Sequence, residues 1–182
     1  MNYLTHKDLN AKHLIVSIII LFLGVFIVLP LMQNAIVEST GDTITPDSSY
    51  FIRGDELETL SSNYGSEGRF AYVWTRWTYD LLWPLLYLQF LLVYVSFLSS
   101  SLPIKMRKVM MAVPLVAVLL DIFENSFFSL YMIQFDSNIV FFRNVGCLMS
   151  AGKWVVIFIA FALILVLFLL KIINKIWSFK LR

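Results

Sequence analysis

Four apolar blocks, separated by polar stretches, set the rhythm of this chain. The first covers residues 14–32 and holds no charged side chain. The second covers residues 79–97, the third 109–133 with two acids inside it, and the fourth 154–170, again without a charge. A helix needs about 20 apolar residues to cross a bilayer. The blocks therefore predict four membrane-spanning helices, over about residues 14–34, 78–99, 109–133 and 152–173. Pro84 and Pro114 fall inside two of them, where membrane helices tolerate proline. The first block is longer than the roughly 7–15 apolar residues of a signal peptide, and no small-x-small cleavage site follows it. It is expected to remain as an anchor.

Composition agrees. Of 182 residues, 59% are hydrophobic, 16% aromatic and only 14% charged, whereas a soluble domain carries about a quarter charged residues. Mean hydropathy is +0.80. These values exclude a soluble globular domain, a disordered chain and a disulfide-stapled secreted module. The expected fold is all-α: a polytopic four-helix transmembrane bundle forming a single domain over residues 1–182.

Lysines and arginines orient the spans. Lys7 and Lys12 precede the first, Lys105, Arg107 and Lys108 lie between the second and third, and Lys171, Lys175, Lys180 and Arg182 follow the fourth. These nine face five on the other side: Arg53, Arg69, Arg76, Arg143 and Lys153. The positive-inside bias predicts that both termini are cytoplasmic. The segment 37–69 then becomes a large first extracytoplasmic loop. It is acidic, with Glu38, Asp42, Asp47, Asp55, Glu56, Glu58 and Glu67 among Ser, Thr and Gly. Asn63-Tyr64-Gly65 reads as a turn, and Asp55 with Glu58 can start a short helix carrying Leu57 and Leu60. No Asp-x-Asp-x-Asp-Gly calcium loop occurs in it.

Candidate chemistry narrows quickly. Net charge is +2, too mild for a nucleic-acid partner. The lone Cys147 permits no intrachain disulfide. The two histidines, His6 and His13, both precede the first span. An embedded metal site would have to be all-carboxylate, so neither a metal nor a cofactor is expected.

Residues 70–99 contain no glycine and only one proline, which predicts a helix of about 45 Å. The hydrocarbon core is only about 30 Å thick. The first turns are expected to stand out of it, ringed by Tyr72, Trp74, Trp77, Tyr79 and Trp83 as an interfacial aromatic belt. Arg76 and Asp80 are four apart and can pair. Asp80, Trp83, Pro84, Tyr87, Leu91 and Tyr94 share one helical stripe.

The third block carries the costly residues. Asp121, near its centre, is followed three and four positions on by Glu124 and Asn125, on the same side of the helix. An ionisable group at mid-membrane costs roughly 2.5–3.5 kcal/mol on insertion scales, so these side chains are expected to face inward. Two acids one turn apart can exchange a proton or grip a cation, and they can equally act as hydrogen-bonding glue between helices. Arg76, Arg143 and Lys153 are basic partners toward the outer end, and each of the last two can instead be a snorkelling interfacial charge. The candidate ligand-binding residues are therefore Asp80, Tyr87, Asp121, Glu124 and Asn125, with Arg76 and Arg143.

Tyr79-Asp80, Trp83-Pro84 and Tyr87, followed by Asp121-x-x-Glu124-Asn125, resemble a pattern in a family of small bacterial four-helix integral membrane proteins. That resemblance implies a bacterial inner-membrane location and no particular activity. By architecture alone the chain also resembles the sterol-isomerase and sigma-2-receptor superfamily, without the histidine of the isomerase site. The claudins share its layout but have loop cysteines that this chain lacks. The lipoprotein signal peptidases share four spans but not these Asp motifs. Three functions fit. The first is binding of a lipid, an amphiphile or a cationic small molecule at the carboxylates, either for its own sake or for transport. The second is an intramembrane acid/base enzyme acting on a lipid-borne substrate. The third is an accessory subunit. Transport through four spans would call for a homo-oligomer or a partner membrane protein beside the lipid bilayer itself.

Overall fold

The computed structural model describes residues 9–41, 45–46, 49–78, 80–137 and 139–180. His6, Lys7, Asp42, Asp47, Tyr79 and Arg182, all weighed above, lie outside them. The described residues form helices and connecting turns, with no strand among them.

The first helix starts at an Asn10 cap. Its side chain accepts from the Lys12 amide at 3.0 Å, and His13 Nδ1 accepts from the Asn10 amide at 3.3 Å. This reciprocal arrangement occupies amide donors that a helix start leaves without partners. Helix α1 (Ala11–Leu23) runs through a π-helical turn, Gly24–Val28, into α2 (Leu29–Thr40). Within the turn the Leu29 amide reaches back to the Gly24 carbonyl, five residues away. Pro30 supplies a cause: a proline ring collides with the carbonyl four residues before it, here that of Phe26, and loosens the ladder at that point.

Helix α3 (Gly54–Thr78) occupies much of the segment read as a loop. The predicted helix carrying Leu57 and Leu60 exists, but it continues past residue 70. Gly65, at φ 62°, kinks it where Asn63-Tyr64-Gly65 suggested a turn. Only glycine enters this region freely. At its start the Arg53 amide donates to Glu56 Oε2 at 3.0 Å. The Asp55 carboxyl is held below the usual carboxylate range, first by its own backbone amide and then by the Arg53 guanidinium, so this first turn keeps its negative charge at the helix N-terminus.

The helix expected over 70–99 is broken. Helix α3 ends at Thr78 and α4 (Leu82–Leu98) begins after a turn. The Asp80 amide donates to the Thr75 carbonyl, a five-residue reach at 3.2 Å. The physical reason is Pro84, whose ring conflicts with the Asp80 carbonyl and restarts the helix. Helices α5 (Ile104–Ile133) and α6 (Val140–Lys180) form a long antiparallel hairpin through a 3-10 turn at Phe135–Ser137. Their contact is the most extensive in the structure.

Among the described residues, three stretches are long and apolar enough to cross a membrane: Ala11–Glu38, Gly54–Leu98 and Val140–Trp177. Helix α5, which carries the acids, is not among them. Its inward stripe runs Pro114, Ala117, Asp121, Glu124, Asn125, Phe128 and Tyr131. One apolar cluster holds Leu57, Tyr72, Phe128 and Tyr131, and a second holds Tyr87, Leu91, Ala117 and Ala160. The three polar residues of α5 fall between the two.

Gly146 sets how close α5 and α6 come. A Cβ there would lie 2.6 Å from Phe128 Cε1 and closer still to Cδ1. Gly146→Ala is expected to destabilise the protein by about 1–3 kcal/mol, the usual penalty of overpacking. The loss should shrink in a Phe128→Leu background. Thermal unfolding in micelles measures both, and an unchanged midpoint in Gly146→Ala would contradict the packing.

Candidate functional site

Helix α5 turns Asp121, Glu124 and Asn125 fully into the interior, each at most 1% exposed. Opposite them on α6 stands Lys153, itself buried. Its ammonium group contacts Glu124 Oε2 and lies 3.5 Å from Asp121 Oδ1. One cation thus serves two acids a single helical turn apart. From α4, the Tyr87 hydroxyl donates to the other Asp121 oxygen, Oδ2, at 3.0 Å. Such charge-assisted bonds are stronger than neutral ones.

A second pair adjoins this one. Arg76, at the end of α3, donates to Asp80 Oδ2 at 2.6 Å and reaches Asn125 Oδ1 at 3.5 Å. Its guanidinium lies 4.7 Å from the centre of the Tyr72 ring, within cation–π range. Asn125 therefore ties the Arg76–Asp80 pair to the helix that bears Asp121 and Glu124. Nearby, Trp77 Nε1 donates to Ser129 Oγ at 3.0 Å, a further link between α3 and α5.

Six of the seven sequence-derived candidates, Arg76, Asp80, Tyr87, Asp121, Glu124 and Asn125, come together. Arg143 does not. It sits ten residues before Lys153 on α6, about 15 Å along the axis, and pairs with Glu58 of α3 instead. Lys153 takes the central position. Sequence reasoning named it as a possible partner but could not give it a depth. Among the described residues, the buried charged side chains are Arg76 and Lys153 against Asp80, Asp121 and Glu124. With all five ionised, one negative charge is in excess.

A cavity of about 410 Å³ opens onto this network. Val25, Leu29, Met32 and Ile36 of the first helix form its apolar wall, and Trp83 and Trp154 flank it. Only Asp80 and Lys153 of the buried charges line it. Asp121 and Glu124 lie behind the lysine. Tyr50 packs edge-on against Trp154, ring centres 4.7 Å apart. No known protein family, curated protein or solved structure matches the chain.

The geometry makes Lys153 the counter-ion on which both acids depend. Lys153→Met is expected to cost about 3–5 kcal/mol, the usual penalty for stranding buried charge. Replacing the acids as well, in Lys153→Met/Asp121→Asn/Glu124→Gln, should recover most of it. Unfolding midpoints of the single and triple variants in micelles test this. A single variant as stable as the parent would show that the acids do not rely on the lysine.

Proposed function

We propose that this chain is a four-span protein of the bacterial inner membrane, with α5 as the third span and both termini cytoplasmic, that binds an amphiphile with a cationic head. The observation that carries the reading is the cavity beside a buried cluster of three carboxyl groups and two basic side chains. A volume of about 410 Å³ lies in the range of small-molecule pockets, roughly 300–1,000 Å³. Its wall suits an alkyl or ring system. Its polar end holds Asp80 and Lys153, with Trp83 and Trp154 also in the lining, and aromatic faces attract cations. With all five groups ionised, a bound monocation would balance the cluster.

The same geometry weakens the acid/base reading. Asp121 and Glu124 are engaged by Lys153 and Tyr87 and are screened from the cavity, where a substrate would have to meet them. The bacterial location rests on the sequence resemblance, and the orientation rests on the lysine and arginine bias.

Binding can be read by quenching of Trp83 and Trp154 in nanodiscs with a brominated dodecylammonium ion. Saturable quenching is expected, with dodecanol of the same tail at least about tenfold weaker, or 1.4 kcal/mol. Leu29→Trp, which fills the apolar wall without touching the ionic network, should abolish it. Equal affinity for the alcohol would overturn the cationic preference. Topology has a separate readout, because the number of spans decides the side of the C-terminus. A C-terminal green fluorescent protein fusion should fluoresce and an alkaline phosphatase fusion should be inactive. The reverse pattern would remove α5 from the spans.

A further inference from the structure

The outer cavity has a counterpart at the other end of the same seam. A second slot of about 290 Å³ is lined by Leu14 of α1, Tyr94 and Phe97 of α4, and Phe161, Leu165 and Phe168 of α6. These are the elements that build the outer cavity, met at their opposite ends. Lys171 stands at this slot, its Nζ 3.8 Å from the centre of the Phe97 ring and 3.5 Å from the Phe97 carbonyl.

Between the two lies a short aromatic plug. Phe90 stacks on Tyr94 at 4.5 Å and meets Phe161 at 6.0 Å. Polar groups continue through it. The Tyr94 hydroxyl donates to the Leu14 carbonyl at 3.4 Å. Ser17, one turn further along α1, is fully buried, and its hydroxyl oxygen has no hydrogen-bond partner among the described residues. A buried hydroxyl without a partner is uncommon and calls for an explanation. A polar head passing that level would supply one.

The first helix is the wall best suited to move. Its first half packs along α4 and its second half, α2, along α3, while it hardly touches α6. Of the three stretches able to span a membrane, it is the least buried, at 11%. Its π-turn at Gly24–Val28 follows Leu14 of the inner slot and opens the stretch that faces the outer cavity, which its own Val25 lines. Such turns weaken the regular ladder and recur at functional places in helices.

We infer that the seam between the first helix, α4 and α6 is a path along which a cationic amphiphile passes between the outer cavity and the inner slot. This rests on the amphiphile-binding reading above and assigns that site a transport role. The head moves from Asp80 past the Trp83 ring to the Ser17 and Tyr94 hydroxyls. The tail stays in the lipid alongside. The first helix must part from α4 to let the head through.

A cysteine pair tests the movement directly. A Cβ on Gly24 would lie 3.7 Å from Leu86 Cβ, inside the roughly 3.5–4.5 Å span of a disulfide. Gly24→Cys/Leu86→Cys, with Cys147→Ser to remove the native thiol, therefore locks the first helix to α4 when oxidised and frees it when reduced. Each form controls for the folding of the other. The probe is a fluorescent single-chain primary alkylammonium amphiphile in phosphatidylcholine–phosphatidylglycerol vesicles at neutral pH, with transfer read by albumin back-extraction. Reduced protein is expected to move the probe between leaflets well above the protein-free rate, and oxidation should slow this on the order of tenfold. Phe161→Ala, which thins the plug, should speed it. Equal rates for the two redox forms, or no transfer above protein-free vesicles, would overturn the path. If the same probe still quenches Trp83 and Trp154 in nanodiscs, that failure leaves the binding reading intact. If quenching is also absent, both fall.

Discussion

A single ammonium group shared by two carboxylates is the constraint around which this structure is arranged. Placing Asp121 and Glu124 a turn apart on the buried stripe of α5 creates two costs, desolvation and mutual repulsion. Lys153 answers both, because it contacts Glu124 and lies 3.5 Å from Asp121. That position requires α6 to run close beside α5 in one register. Gly146, pressed against Phe128 two turns away, permits the approach. Ionic pairing and steric fit thus select the same alignment of the hairpin, and neither would hold it as well alone.

The remaining polar groups extend this pairing into the neighbouring helices. Tyr87 brings α4 to Asp121, and Arg76 brings the end of α3 to Asn125 while holding Asp80. Asp80 reaches that place because the chain breaks ahead of Pro84. In an unbroken helix over 70–99 it would have been one more residue on a straight stripe. The first helix has a matching irregularity ahead of Pro30. Both prolines lie beside the cavity, where Pro30 is part of the wall and Trp83, next to Pro84, flanks it. The cavity therefore sits between two places where proline has interrupted a regular helix.

Much of this was legible in the sequence, and the limits have physical causes. Helical spacing alone gathers Asp121, Glu124 and Asn125 on one face and sets Arg76 opposite Asp80. The cost of burying charge then turns them inward. Depth was not legible, because a lysine or arginine near the end of an apolar block can snorkel or be buried with the same spacing. Lys153 and Arg143 looked alike, and they part company in the structure: one joins the acids and the other reaches Glu58. A signal was nonetheless present. In a tight antiparallel hairpin turning near residue 137, positions equally far from the turn face each other. Asp121 and Lys153 are each sixteen residues from it, and Phe128 and Gly146 are each nine. The extent of α3 was hidden for a different reason. Its first half is polar and interrupted by Gly65, and it is held by a few buried residues such as Leu57 and Tyr64 against α5 rather than by a continuous apolar face.

The distribution of charge also explains which part of the bundle is free to move. Every ionisable residue of the buried network comes from α3, the turn after it, α5 or α6, apart from the Tyr87 hydroxyl on α4. An element tied into it could shift only by stranding a charge in the interior. The first helix contributes apolar wall and no ionisable group to the network; α2 packs on α3, and the close contact with α4 is between Gly24 and the flexible end of Leu86. Parting these surfaces exposes methyl groups to lipid tails, which solvate them about as well as the protein does. Motion of that helix thus leaves the pairing of Lys153 with Asp121 and Glu124 undisturbed, and a fixed polar core can coexist with a wall that opens.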